Sequence, residues 1–328
     1  MFICKICEYS GHNRIYSVRE MMFGTRESFE YIECGYCGCI QISSIPDDIS
    51  RHYPHDYYSF SEPYRFREKR EKFIASQIAK YSLNGSNLIG WWYARKYPAE
   101  MYPHFHRIPA WLKGNKLRLR KKSRVLDVGS GNGALLYEMN ELLDIRAVTG
   151  IDPFIESDVL YENGVKIVKA RLDDINDQFD SIMLHHSLEH MPDQKGVLRH
   201  LRKLLRPKGS ILIRIPICSS FAWKTYGAHW AQLDAPRHFF IHSIASFSIL
   251  IEQAGFRIRD IIYDSSEFQF WASEQYKLGI SLRAENSYGI NPENSIFTKG
   301  QIDEFARMAE ELNKRGDGDQ AGFFLEAV

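Results

Sequence analysis

The chain has 328 residues, of which 44% are hydrophobic and 25% are charged, the composition of an ordinary globular protein with one large or two to three ordinary domains. Its 42 basic and 41 acidic residues nearly balance, so nucleic acid is not an expected partner. No stretch approaches the roughly 20 apolar residues of a membrane span, and the N-terminal residues do not have the plan of a secretory signal, so we expect a cytoplasmic protein without a membrane span.

Most of the cysteines lie near the start of the chain, and five of the six fall within the first 39 residues. Two Cys-x-x-Cys pairs can each wrap one face of a tetrahedral zinc ion. These pairs are Cys4 with Cys7 and Cys34 with Cys37. Cys39 could replace Cys37, and disulfides are the less favoured alternative in a cytoplasmic protein. Residues 1–45 are therefore predicted to form a zinc ribbon around a structural Zn²⁺, with a strand pair at 15–18 and 29–32 between the two cysteine pairs and Ile40-Gln-Ile42 after them.

Residues 46–120 are rich in aromatic side chains and are predicted to form a helical cap or linker. Apolar residues at helical spacing predict a helix from Glu62 to Tyr81, and a second helix begins near Ser86. The run from Lys113 to Arg124 holds seven lysine or arginine residues in twelve positions. A solvated lead-in to the next strand and a phosphate-contacting patch both fit this charge.

From Arg124 onwards, strands rich in Val and Ile alternate with helices. This alternation predicts an α/β fold with a mostly parallel, doubly wound, Rossmann-like sheet. The predicted strands are 124–128, 147–152, 165–169, 180–184, 210–215 and 258–263. The predicted helices are 133–143, 155–162, 194–205 and 243–254. Residues 121–265 are assigned to this domain, and 266–328 are assigned to a small C-terminal extension with a helix at 299–313 and a candidate final strand at 322–325.

A glycine-rich turn follows the first of these strands. Gly129, Gly131 and Gly133 permit a tight turn and let the backbone approach a nucleotide closely. The same spacing also fits NAD or FAD, or a turn that serves packing alone. Asp127, just before the turn, would repel the pyrophosphate of a dinucleotide. It suits a ligand with a cationic amino acid end, such as S-adenosylmethionine (SAM).

Ligands of a doubly wound sheet bind beyond the carboxyl ends of its strands. Asp152, at the end of the second strand, is predicted to accept the ribose hydroxyls of an adenosine, unless it only caps the next helix. After the third strand, the main chain at Leu172 and the carboxylate of Asp173 are candidates for the adenine edge, unless they are solvated loop residues. His185, at the end of the fourth strand, is a further candidate for cofactor binding.

Several motifs in the expected order resemble a class I SAM-dependent methyltransferase over residues 124 to about 263. They are the Asp127-x-Gly129-x-Gly131-x-Gly133 turn, the strand-end Asp152, the strand beginning Phe179-Asp180, the Leu188-Glu-His-x-Pro-Asp193 loop and the Leu205-Arg-Pro-x-Gly209 turn. The segment Leu233-Asp-Ala-Pro-Arg-His238 also resembles a subgroup linked to methylation of bacterial sugars and surface polysaccharides. Some of those sugar methyltransferases carry an N-terminal four-cysteine zinc module and a C-terminal extension. Many members place an acid directly after the third strand, whereas here three residues precede Asp173.

The resemblance implies transfer of a methyl group from SAM to a hydroxyl of a sugar, a polysaccharide precursor or another small molecule. The enzyme would mainly align the acceptor and exclude water, and a histidine could accept the proton near neutral pH. His238 and His190 are the predicted catalytic residues, although His238 could equally fix its own loop. A similarity to quinone-type O-methyltransferases raises a metal site at His186, Glu189 and His190, but a structural role for that loop is favoured.

Two other functions also fit the sequence. An RNA base methyltransferase would use the ribbon and the Lys113–Arg124 run to dock RNA, against the near-neutral net charge. A non-catalytic scaffold would bind SAM and use the ribbon to dock a partner. The first is tested by salt-sensitive RNA binding, and the second by SAM binding without turnover of any acceptor.

Overall fold

The computed structural model describes residues 2–53, 63, 65–66 and 68–328, and two β-sheets lie within these residues. The strands of the smaller sheet are β1 (Arg14–Arg19), β2 (Ser28–Glu33), β3 (Ile40–Ile42) and β10 (Phe240–Ile241). They pair in that order and are antiparallel throughout. The strand pair predicted at 15–18 and 29–32 is therefore confirmed, and residues 40–42 form a third strand beside it. The fourth strand comes from a distant part of the chain.

The larger sheet contains the remaining strands of the described residues. They are β4 (Arg124–Val128), β5 (Ala147–Ile151), β6 (Val159–Leu160), β7 (Lys166–Val168), β8 (Phe179–His185), β9 (Leu205–Pro216), β11 (Phe256–Tyr263) and β12 (Gln320–Ala327). Their order across the sheet is β11-β12-β9-β8-β4-β5-β7-β6. The central strands are parallel, whereas β12 and β6 run antiparallel to their neighbours. The predicted mostly parallel, Rossmann-like α/β sheet is thus confirmed.

The described residues also form eight α-helices. They are α1 (Lys69–Asn84), α2 (Leu88–Lys96), α3 (Ala134–Leu143), α4 (Gln194–Leu204), α5 (Phe221–Tyr226), α6 (Ile244–Gln253), α7 (Phe268–Lys277) and α8 (Lys299–Arg315). Within the described part of the chain, no helix is both long enough and apolar enough to span a bilayer.

The hydrophobic core lies on both faces of the larger sheet, because neighbouring residues of a strand point to opposite sides. Val125, Met183 and Leu212 pack with side chains of α1 and α3 on one face. Leu126 and Ile182 pack with side chains of α4 and α6 on the other face. The sheet is therefore covered on both sides, as parallel sheets usually are.

The ribbon packs directly against the Rossmann-like part of the chain. In the smaller sheet, Ile40 of β3 pairs with Ile241 of β10. The hydroxyl of Tyr31 in β2 donates a hydrogen bond to the carbonyl oxygen of His238, 2.9 Å away. Tyr31, Ile40 and Ile241 are all buried. The segment just after the predicted catalytic loop is consequently part of the ribbon's own sheet.

The predicted helix at 155–162 is wrong. Val159 and Leu160 form β6, which pairs antiparallel with Ile167 and Lys166 of β7. Gly164 makes the turn of this hairpin with a φ of +86°, a conformation that glycine adopts without strain. Pairing with β7 thus places this segment in the sheet and not in a helix.

Three other boundaries differ from expectation. The helix predicted from Glu62 begins at Lys69 in the structure, and its predicted first residue lies outside the described residues. The predicted turn at 205–209 is the start of β9, where the pairing register with β8 shifts and Lys208 has a φ of +65°. Residues 320–327, assigned from the sequence to a C-terminal extension, form β12 inside the larger sheet.

Candidate active site

The glycine turn joins β4 to α3 in close contact with two neighbouring elements. Gly129 and Gly133 both have a φ of +77°. A Cβ atom on Gly129 would lie 2.6 Å from the Cβ of Ser187, and one on Gly133 would lie 2.1 Å from the Cδ1 of Ile167. Conformation and packing therefore both require glycine here. Three glycines among the five residues of the turn also leave much of its backbone open to a ligand, as a nucleotide site needs.

Asp127 is a buried carboxylate at the end of β4, with 3% of its surface exposed. Its Oδ1 atom is buried and has no hydrogen-bond partner among the described residues. Burial, together with the charge of Asp152, raises the pKa of Asp127 to about 7. A buried acceptor without a partner is costly. The position fits a cationic or hydrogen-bond-donating ligand group, as the amino end of SAM would provide.

Asp152 follows β5 and holds the glycine turn. Its Oδ2 accepts a hydrogen bond from the backbone N–H of Gly131 at 3.0 Å, and its Oδ1 accepts one from Phe154 at 2.8 Å. Burial raises the pKa of this carboxyl, against the effect of the two hydrogen bonds. Carboxylate oxygens carry further lone pairs, so these contacts leave acceptor capacity for ribose hydroxyls. The alternative was that Asp152 only caps the next helix. No helix directly follows it among the described residues, and its hydrogen bond to Phe154 N–H instead closes a turn.

The other predicted cofactor residues lie after strands β7 and β8, at the same edge of the sheet. Leu172 is half-buried and Asp173 is exposed in a short 3-10 turn, Leu172–Asp174. His185 ends β8, with its ring 4.5 Å from that of Trp111 and its Nδ1 3.4 Å from Nη1 of Arg214. Burial, followed by the charge of Arg214, holds the pKa of His185 well below its ordinary value. His185 is therefore neutral at physiological pH.

The two predicted catalytic residues lie together, on two different loops. His190 follows β8, His238 precedes β10, and their ring centroids are 4.7 Å apart. Nδ1 of His190 lies 2.8 Å from the carbonyl oxygen of Arg237, and Nδ1 of His238 lies 2.7 Å from that of Gln232. A carbonyl can only accept, so each Nδ1 carries the proton and donates it. In the neutral form of either ring, this assignment from the hydrogen-bond network places the lone pair on Nε2.

Two acidic side chains lie beside these imidazoles. We call Glu189, His190, Asp234 and His238 the histidine centre. Burial would raise the pKa of Glu189, but His186, His190 and His238 outweigh it and lower the value to about 2. Burial is likewise outweighed at Asp234, where Arg237 lowers the pKa to about 2. Two carboxylates thus remain ionised in a buried site.

His238 itself is neutral at physiological pH. Burial, followed by the neighbouring His190, lowers its pKa to about 4, and Asp234 and Glu189 only partly oppose this. Its Nε2 lies 3.9 Å from Oδ2 of Asp234. A neutral imidazole with a free nitrogen lone pair can accept a proton from an acceptor hydroxyl.

The loop suspected of binding metal has a different arrangement from the one expected. The side chains whose ligand atoms lie within 4.8 Å of one another are Glu189, His190 and His238. His186 is outside this set, and its Nδ1 instead lies 3.3 Å from Oε1 of Glu189. Neither carboxylate oxygen of Glu189 makes a hydrogen bond of good geometry within the described residues.

The SAM-type turn and the histidine centre are joined through Ser187. The Ser187 hydroxyl donates to the carbonyl oxygen of Val128 at 2.8 Å, directly before the glycine turn. Sequence reasoning missed both this residue and Asp234. Asp234 could have been found, because it precedes His238 by four residues within the quoted motif. The hydroxyl of Tyr53 lies 3.0 Å from Nδ1 of His190. No local sequence pattern could have predicted this contact.

The four predicted zinc ligands also come together. Cys4 Sγ lies 3.6 Å from Cys37 Sγ, Cys7 Sγ lies 3.6 Å from Cys34 Sγ, and all four sulfurs lie within 4.8 Å of one another. Four sulfurs at ~2.3 Å from a tetrahedral zinc ion are about 3.8 Å apart. The arrangement therefore fits zinc. Cys39 is buried outside this group, with its sulfur 3.9 Å from Nδ1 of His242.

Comparison with known proteins places this architecture in a family. Residues 93–261 match the family model described as "Methyltransferase domain". The chain is 29% identical over 156 residues to tRNA U34 carboxymethyltransferase of Aliarcobacter butzleri, covering 43% of this chain and 50% of that protein. It is 31% identical over 130 residues to ubiquinone biosynthesis O-methyltransferase of Xanthomonas oryzae pv. oryzae, covering 35% and 53%.

The chain thus spans about half the length of these two curated relatives. Among solved structures, it is similar to a SAM-dependent methyltransferase from Archaeoglobus fulgidus, with 21% identity, coverage of 65% of this chain and 92% of that chain, and a TM-score of 0.38. The family model covers just over half of the 328 residues. The protein therefore belongs to the methyltransferase-domain family.

Proposed function

We propose that the protein transfers a methyl group from SAM to a hydroxyl group of a sugar, a polysaccharide precursor or another small molecule. The observation that carries this proposal is the pair of imidazoles His190 and His238, whose ring centroids are 4.7 Å apart. They lie on the loop whose Ser187 hydroxyl contacts the carbonyl oxygen of Val128, directly before the SAM-type glycine turn, and on the loop packed against it. Imidazole nitrogens are suited to removing the proton of a hydroxyl acceptor.

The cofactor site is formed by the ends of adjacent strands. Asp127 would hold the amino end of SAM, because its buried carboxylate has an oxygen without a partner among the described residues. Asp152 would accept the ribose hydroxyls, and Leu172 and Asp173 would contact the adenine. His185 would line the site from β8. When bound, SAM supplies a methyl group that is already activated, so the remaining task of the chain is to orient the acceptor and exclude water.

The acceptor side is formed by the histidine centre. His238, or His190 beside it, would receive the proton of the attacking hydroxyl at Nε2. The ionised carboxylates of Glu189 and Asp234 would stabilise the imidazolium that results. A hydroxyl must lose its proton during methylation, and this arrangement places a base where it could take that proton.

The experiment measures SAM binding and methyl transfer separately. Calorimetry should give SAM binding to the wild type, and a panel of hydroxylated sugars and metabolites should identify an acceptor. His238→Gln and His190→Gln should lose most transfer while keeping SAM affinity. His200→Gln is the control, because this imidazole lies on α4 and contacts the carbonyl oxygen of Ile175. Full transfer by both variants would exclude the histidine centre as the proton acceptor.

We also propose that Cys4, Cys7, Cys34 and Cys37 bind one structural Zn²⁺. The spacing of their sulfurs supports this, and four protein ligands leave no open position for a reacting water. Metal analysis of the purified protein tests it directly. Absence of zinc together with four titratable thiols in this group would contradict the proposal.

A second candidate, methylation of RNA, is favoured by one observation. The relative from Aliarcobacter butzleri bears the name of an enzyme acting on tRNA. The basic run at 113–124 gives it little support, because several of its cations pair with acids. These pairs are Lys116 with Asp260, Arg118 with Glu326, Lys121 with Asp144 and Arg124 with Asp177. Salt-sensitive binding in a filter assay would support this candidate, and no binding at low salt would exclude it.

A further inference from the structure

A buried ion pair connects the ribbon to the loop that carries His238. The side chains of Glu20 and Arg237 are both 0% exposed, and Oε1 of Glu20 lies 3.2 Å from Nη2 of Arg237. Glu20 comes directly after β1, at the start of the ribbon's hairpin turn. Its oxygens also accept hydrogen bonds from the backbone N–H groups of Met22, Phe23 and Thr25 and from the hydroxyl of Thr25. The carboxylate is thus fixed by its own hairpin.

Arg237 uses its other donors on the histidine centre. Its Nε lies 2.9 Å from Oδ2 of Asp234, and its Nη2 lies 2.5 Å from Oδ1 of the same carboxylate. This two-point contact orients a carboxylate more strictly than a single hydrogen bond does. Nη1 donates to the carbonyl oxygen of His52, and the guanidinium lies 5.1 Å from the ring centroid of Phe23. The ribbon and the segment after it therefore surround Arg237.

Both imidazoles depend on the position of Arg237. The backbone carbonyl oxygen of Arg237 accepts a hydrogen bond from Nδ1–H of His190. The side chain of Arg237 holds Asp234, which lies beside Nε2 of His238. A shift of this one residue would change the direction of one histidine and the charge next to the other.

We propose that Glu20 of the ribbon is a positioning residue for the histidine centre, acting through Arg237 on Asp234, His190 and His238. The ribbon then contributes to the active site itself, beyond any part in folding. This inference rests on the proposed role of the two histidines as proton acceptors. It adds a residue that lies more than two hundred positions earlier in the chain.

The cost of burying these charges supports the proposal. A buried ion pair is often no more stabilising than apolar residues of similar volume, so stability alone does not account for a fully buried Glu20–Arg237 pair. An apolar pair could not hold Asp234 in its ionised form beside His238. Positioning is the function that this arrangement can perform and an apolar core could not.

The test uses the full-length protein with ¹⁵N-labelled histidine, so it needs no acceptor. NMR resonances of His190 and His238 are assigned with the His190→Gln and His238→Gln variants. Glu20→Gln should shift the ring nitrogen resonances of both histidines, while SAM affinity and zinc content stay unchanged. His200, on α4, is the internal control and should not shift.

Glu27→Gln is the matched control variant. Glu27 lies on the same ribbon, but its ion pair with Arg51 is exposed. It should leave the His190 and His238 resonances in place. Unchanged resonances of both histidines in Glu20→Gln, or equal shifts in Glu27→Gln, would overturn the proposal.

Glu20→Asp covers the case in which Glu20→Gln does not fold. It keeps the charge but moves it away from Arg237, so a smaller shift of the same two histidines is expected, and no shift would overturn the proposal. With an acceptor in hand, kcat should fall by up to about a hundredfold, as for a misplacement of about 1 Å, with KM for SAM unchanged. If His238→Gln and His190→Gln both retained full activity while Glu20→Gln still shifted the resonances, the proposed function would fail and the structural coupling would stand.

Discussion

The backbone N–H of Gly131 donates a hydrogen bond to Oδ2 of Asp152, 3.0 Å away, and so joins the turn after β4 to the end of β5. The second oxygen of Asp152 accepts the N–H of Phe154. The carboxylate therefore supports the shape of the nucleotide turn before any ribose contact is considered. A substitution of Asp152 should therefore change both SAM binding and the stability of the fold.

We predict that Asp152→Asn weakens SAM binding and lowers the free energy of unfolding. Asparagine has one acceptor oxygen, so either Gly131 or Phe154 loses its partner, and a hydrogen bond to a charged group contributes about 1.5–3 kcal/mol. Denaturant unfolding and calorimetry measure the two effects. Asp173→Asn is the control, since Asp173 is exposed and should leave stability unchanged. Weaker SAM binding without loss of stability would assign Asp152 to the ribose alone.

Asp127 should make SAM binding depend on pH. Its pKa is raised to about 7, so the carboxylate that would pair with the amino end of SAM is only partly ionised at neutral pH. Affinity should rise about fiftyfold between pH 5 and 7, the proportion in which the ionised fraction of a group with a pKa of about 7 increases. Asp127→Asn should bind SAM weakly and with little pH dependence over this range. A wild-type affinity that is flat from pH 5 to 7 would contradict the assignment.

The same raised pKa has an effect on stability without ligand. The folded-state pKa of Asp127 lies above the usual value of about 3.9 in an unfolded chain, so the native state retains the proton over a range in which the unfolded chain has lost it. The contribution of this group to the unfolding free energy must then fall as pH rises from about 4 to 7. Denaturant titrations across this pH range measure the unfolding free energy of the wild type and of Asp127→Asn. The free energy of the wild type should fall more steeply with pH than that of the variant.

Gly133→Ala should destabilise the fold more than Gly164→Ala. Both glycines have positive φ, which costs an alanine about 1–2 kcal/mol. Only at Gly133 would the new methyl group also meet the buried Ile167, where overpacking adds about 1–3 kcal/mol. Thermal and denaturant unfolding compare the variants. Ile167→Val in the Gly133→Ala background should recover part of the lost stability, because valine lacks the Cδ1 atom that the new methyl group meets. Equal destabilisation at the two glycines would show that contact with Ile167 contributes nothing.

Loss of any one of the four clustered cysteines should prevent the ribbon from binding zinc. Cys4→Ser and Cys37→Ser are expected to abolish zinc binding, because each removes one of four thiolate ligands. Cys39→Ser should retain the metal, since its sulfur lies outside the group. Metal analysis and unfolding curves check both statements. Zinc retained in Cys37→Ser but lost in Cys39→Ser would show that Cys39 is the fourth ligand.

Much of the larger sheet could be predicted, because its strands are short apolar runs that are buried on both faces. Strand β4, its glycine turn and Asp127 follow from local sequence alone. The 155–162 helix was wrong because a two-residue strand has almost no local pattern, and only its partner β7 defines it. The same is true of β10, which is recognisable as a strand only when β3 lies beside it.

The active site was predictable only in its local parts. His190 and His238 could be singled out from their motifs, although nothing in the sequence states that they touch. Glu20 could not be found, because its partner Arg237 is brought to it only by folding. Its charge has no distinguishing context within the ribbon, where several other glutamates are exposed.

Strand β12 fills the space between β9 and β11, although it comes last along the chain. During synthesis from the N-terminus, β9 and β11 each keep an unpaired backbone edge until residues 320–327 have left the ribosome. Such edges readily pair with other chains. A ribosome that stalls before this point, or a protease that removes this strand, would release a product prone to aggregate.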